Sequence, residues 1–96
     1  MMAVIFSNML AASEQYSFVA LGDTTYAVPD DYPLYRSLID TINASSPRFS
    51  IHVGDTKGRG DCGDEFQLGQ KKYFDSFEAP VIYAFGNNEW AECWRD

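Results

Sequence analysis

Three short apolar runs, each halted by glycine and followed by an aspartate or asparagine, constrain this 96-residue chain more than any other feature. Tyr16–Leu21 (YSFVAL), Phe49–Val53 (FSIHV) and Val81–Phe85 (VIYAF) run into Gly22-Asp23, Gly54-Asp55 and Gly86-Asn87. Their β-branched and aromatic residues predict strands of the buried type. Between the runs, Leu34, Leu38, Ile39 and Ile42, then Phe66, Tyr73, Phe74 and Phe77, recur at helical spacing. Asp31 ahead of Tyr32-Pro33 is suited to cap and start the first helix, and Asn43 to Pro47 to stop it. Asp61 or Asp64 starts the second, and Glu78-Ala79-Pro80 closes it. Strand alternating with helix predicts an α/β fold: a βαβαβ unit with right-handed crossovers and a mostly parallel sheet. All three glycine turns then fall at the carboxyl edge of the sheet, where such folds bind ligands.

Fourteen acidic residues against seven basic ones give a formal charge of −7, and the basic residues are scattered. That balance offers no footprint for a polyanion and excludes nucleic acid as a general partner. The carboxylates suit either a hard divalent cation or plain solubility. Residues 1–15 read as a signal peptide or N-terminal tail and residues 16–96 as one domain. Met1–Ser13 is apolar and ends in Ala11-Ala12-Ser13, which resembles a small-residue cleavage site, but has no basic start. It is shorter than the roughly 20 residues a membrane span needs. A leader would make the protein secreted or periplasmic; without one it is cytoplasmic. Cys62 and Cys93 form either one disulfide or two free thiols.

A glycine at a strand end lets the backbone turn and approach a ligand, and the next residue projects an oxygen over the sheet edge. Asp23, Asp55 and Asn87 thus supply two carboxylates and an amide, a donor set for hard or borderline cations. At Gly22-Asp23-Thr24-Thr25-Tyr26, Gly54-Asp55-Thr56-Lys57 and Gly86-Asn87-Asn88-Glu89-Trp90 the chain resembles the calcineurin-like metallophosphoesterase superfamily. That family orders its blocks as Asp-x-His, Gly-Asp and Gly-Asn-His-Glu or Asp. The resemblance covers residues 18–90 and implies the first half of a metallophosphoesterase sandwich, with the C-terminal half of the domain missing. It further implies two divalent ions (Mn, Fe or Zn) and a phosphate-ester substrate. Asp23 would bind one metal, Asp55 bridge both, and Asn87 bind the second. Thr25 and Asn88 stand where the family has histidines. Thr25 retains a weak oxygen ligand. Asn88, the one catalytic candidate, can hydrogen-bond a phosphate oxygen but cannot protonate a leaving group.

Lys57 and Arg59 are candidate phosphate-binding residues, or else solvated loop charge. Tyr26 is either a phenolate ligand or a packed aromatic with a satisfied hydroxyl. His52, the only histidine, lies within the second strand, a position suited to the core or to supporting a site. Glu89 and Trp90 are expected to order and wall the third loop, and Trp94 to cover apolar surface. The expected chemistry is hydrolysis of a phosphomonoester or phosphodiester by metal-activated water. The alternative is a non-catalytic secreted binding or interaction module derived from that fold. A nucleotide-binding unit is disfavoured because the first turn lacks a glycine-rich phosphate cradle.

Overall fold

The computed structural model describes residues 14–58, 60 and 62–93. Residues 1–13 of the expected leader or tail, with Arg59, Asp61 and Trp94, lie outside that set. Strands β1 (Val19–Leu21), β2 (Ser50–His52) and β3 (Val81–Tyr83) alternate with helices α1 (Tyr32–Ser45) and α2 (Asp64–Phe74), and a five-residue π-helical turn, Asn88–Glu92, follows β3. The strands are parallel in the order β1-β2-β3, with Val19, Ser50 and Val81 level across the sheet and Leu21, His52 and Tyr83 level two residues on. This is the expected βαβαβ unit with shorter strands.

The buried core is Tyr35, Ile39 and Ile42 of α1 with Phe77, packed against Val19, Leu21, Tyr73, Phe74 and Val81. The stripe runs through Tyr35, Ile39 and Ile42, so Leu34, expected to face inward, is 72% exposed and Leu38 is exposed as well. Consecutive right-handed crossovers in the same direction set both helices on one face of the sheet. Among the described residues no element covers the other face, and the expectation of strands buried on both sides is not met there. Phe18, Val53 and Ile82 are each more than half exposed there. On that side Phe18 stacks on Phe49 with ring centroids 5.2 Å apart.

Helix α1 begins with Pro33 in its first turn, but Asp31 does not cap it. Its carboxylate accepts instead from the N–H groups of Tyr26 (3.0 Å) and Ala27 (2.7 Å), which folds the loop after β1 back onto the helix start. Ser46 ends the helix in a left-handed conformation ahead of Pro47. Helix α2 starts after Gly63 with Asp64 and Glu65 in its first turn and Lys71 and Lys72 in its last, each sign complementing the helix dipole. It ends at Phe74, ahead of the expected stop at Glu78-Ala79-Pro80. No helix among the described residues is long and apolar enough to cross a membrane.

Candidate functional site

Extending the strand register puts Gly22 level with Val53 and Ala84, so Gly54 stands one residue further out and Gly86 two. The three turns form a staircase at the carboxyl edge, not a level row. Loops two and three touch because both lack a Cβ. A Cβ on Gly54, which also has φ +93°, would overlap the backbone nitrogen of Gly86, and one on Gly86 would overlap the Asp55 carboxylate. The glycines thus bring the Asp55 side chain directly against the third loop.

Asp55 has a left-handed backbone, φ 55°, held from both ends. Its N–H donates to Glu89 Oε2 (2.9 Å), and its own Oδ1 accepts from the Asn88 N–H (3.0 Å). Glu89 Oε1 accepts from the Thr56 N–H (3.1 Å), the Thr56 hydroxyl (3.3 Å) and the Tyr83 hydroxyl (2.6 Å). Burial pushes the Glu89 carboxyl up, but the hydrogen bonds from Tyr83, Thr56 and Asp55 outweigh that and leave it below its ordinary range. Burial, followed by the bond to Glu89, pushes the Tyr83 hydroxyl above its ordinary value.

Asp23 also has a left-handed backbone, φ 56°, and its side chain is exposed; its N–H donates to the Gly54 carbonyl (3.0 Å), joining loop one to loop two. Asn87 is exposed at the start of the π-helical turn. The Asn88 amide nitrogen donates to the Lys57 carbonyl (2.8 Å) and to the Tyr26 hydroxyl oxygen (3.2 Å), so Asn88 ties all three loops together. His52 is fully buried in β2, with ring Nδ1 accepting from the Gly54 N–H (3.1 Å). That bond requires Nε2 to carry the proton and donate to the Thr24 carbonyl (3.0 Å). Burial holds its pKa below the ordinary value, against the opposing pull of the Thr24 carbonyl. The expected supporting place of His52 in the core is therefore observed, with its two nitrogens linking loops one and two.

No protein-family model, curated protein or solved structure matches the chain.

Two expectations need correction. Lys57 is not a solvated loop charge: it is 0% exposed, and its ammonium donates to the Gly58 carbonyl (3.1 Å). The bond from Asn88 to the Lys57 carbonyl draws that part of the loop inward. Thr25 is not free as a ligand, because its buried hydroxyl donates to the Thr56 carbonyl (3.2 Å) and accepts from Gln70 (3.1 Å). Tyr26 keeps an exposed ring with its hydroxyl engaged by Asn88.

Cys62 and Cys93 form a disulfide with Cα atoms 5.4 Å apart, joining the segment after loop two to the end of the π-helical turn. The bridge, Gln67, Phe85, Glu89 and Trp90 line a cavity of about 370 Å³. Trp90 is an exposed wall of that cavity. Among the described residues no three His, Cys, Asp or Glu side chains lie close enough to hold a metal ion. The oxygens near the edge belong to the carboxylates of Asp23, Asp55 and Glu89, the last occupied by the N–H groups of loop two, and to the amides of Asn87 and Asn88. The residue that sequence reasoning undervalued is Glu89, expected to order its own loop but found bracing loop two. Its partners are 33 and 34 residues away, so no local sequence signal pointed to them.

Proposed function

We propose that the chain carries the oxygen-ligand side of a metal-dependent phosphoesterase site, in which a phosphomonoester or phosphodiester is hydrolysed by activated water. One observation carries this: Asp23 and Asp55, on adjacent loops of one sheet edge, both have strained left-handed backbones. Non-glycine residues in that conformation cluster where a fold over-determines a functional geometry. The donor set fits a hard divalent cation, which Asp23, Asp55 Oδ2 and Asn87 Oδ1 would hold. The chemistry such ions supply, when bound, is Lewis-acid polarisation of a phosphoryl oxygen and activation of water. This chain's own residues orient and fix: Asn88 spends its amide hydrogens on Tyr26 and Lys57, so its part is to lock the loops and not to donate a proton. The bare sheet face supports the sandwich resemblance, since one half of a two-sheet fold leaves one face to cover. The disulfide supports an oxidising compartment, secreted or periplasmic.

A non-catalytic interaction module is favoured by two observations: Thr25 turns inward at the position where the resembled family has a histidine, and Lys57 is buried with its ammonium on the Gly58 carbonyl. Calorimetric titration with Mn²⁺ tests the metal reading. Asp55→Ala is expected to weaken binding by at least about 100-fold, because even partners of ligands cost 10- to 100-fold. Equal affinity in the variant would overturn the assignment.

A further inference from the structure

We propose that Glu89 is a positioning residue that holds Asp55 in its left-handed backbone with its carboxylate against the third loop, an inference that rests on Asp55 being a metal ligand. A left-handed conformation costs a residue with a Cβ free energy, though less for Asp than for most, and the bonds around Asp55 offset that cost. The holding bonds are reciprocal: Glu89 takes the Asp55 N–H, and Asp55 takes the N–H of Asn88, the residue before Glu89. Glu89 is itself fixed, being 7% exposed and bonded to both the N–H and hydroxyl of Thr56 and to the hydroxyl of Tyr83. Tyr83 sits in β3, level with His52 of β2. The two bonds from Thr56 keep Glu89 in place with or without the Tyr83 hydroxyl, and Glu89 in turn fixes the Asp55 backbone and through it the Asp55 carboxylate. Outer partners of this kind set the orientation of metal ligands.

Comparing Glu89→Gln with Tyr83→Phe in the ¹⁵N-labelled chain separates positioning from bulk stability. In Glu89→Gln the amide oxygen can face the three donors from Thr56 and Tyr83, which turns its NH₂ onto the Asp55 N–H, two donors head to head. Tyr83→Phe removes a bond from the same carboxylate but leaves the acceptor for Asp55. The expected result is that Glu89→Gln alone speeds hydrogen exchange at the Asp55 amide and lowers Mn²⁺ affinity about 10- to 100-fold. The Ile51 amide in β2 stays protected in both variants. Undiminished protection of Asp55 in Glu89→Gln, or an equal loss of Mn²⁺ affinity in the two variants, would overturn the positioning role. Failure of the parent chain to bind Mn²⁺ would overturn the metal reading itself. The Asp55 amide tells the two failures apart, because it is read without metal.

Discussion

Gly54→Ala is expected to cost roughly 3 kcal/mol or more of folding stability, from a left-handed penalty of about 1–2 kcal/mol and an overpacking cost of about 1–3 kcal/mol. Two separate features of the position combine. Its φ of +93° is one that L side chains rarely adopt, and its missing Cβ is where the Gly86 backbone passes. The obstructing atoms are main chain and cannot swing aside as a flexible side chain would. A domain of this size has about 5–14 kcal/mol of total stability, so the variant would lose a large part of it. Urea denaturation followed by circular dichroism measures the loss. Gly69→Ala is the matched control: Gly69 lies inside α2 with open space where a Cβ would go, so the same substitution there should gain up to about 1 kcal/mol. Equal midpoints for Gly54→Ala and the parent would show that loops two and three do not approach as described.

Reducing the Cys62–Cys93 disulfide is expected to cost about 4 kcal/mol, the chain-entropy value for closing a loop with a sequence separation of 31. The closed segment contains α2, β3, the third loop and the π-helical turn, so the unfolded chain gains freedom over about a third of its length when the bridge opens. For a domain of this length each kcal/mol moves the melting temperature by about 4–8 °C, so a fall of at least about 15 °C should follow. Thermal melts with and without a dithiol reductant, alongside Cys62→Ser, provide the measurement. The reduced protein and the variant should agree. An unchanged melting temperature on reduction would show that the bridge does not constrain the fold.

Most of the architecture could be read from local pattern, since each strand run ended in glycine and each helix had its own apolar spacing. What the pattern could not decide was which of two adjacent apolar stripes on α1 faced the sheet. Leu34 and Leu38 lie one residue from Tyr35 and Ile39, a rotation of about 100°, and both pairs are apolar enough to serve. The bare sheet face was hidden for a related reason: three apolar strands look alike whether covered on one side or two, and the sequential strand order decides the matter. Near the site, the sequence pointed to Asp23, Asp55 and Asn87 as neighbours because strand ends in a parallel sheet share an edge. It misread Lys57, since a lysine between threonine and glycine in a loop is ordinarily solvated. Lys57 is instead buried, with its carbonyl bonded by Asn88, 31 residues on. The bracing by Glu89 likewise depends on contacts that no local window contains.

The most direct measurement of the central proposal, that loops one to three converge on a cation, is paramagnetic broadening of the ¹⁵N-labelled chain by substoichiometric Mn²⁺. The expected pattern is selective loss of the amide signals of Asp23, Asp55, Asn87 and Asn88, with those of Phe49 and Ala79 at the opposite end of the sheet preserved. Broadening centred on the exposed carboxylates of Asp64, Glu65 and Asp75, with the three loops untouched, would contradict it.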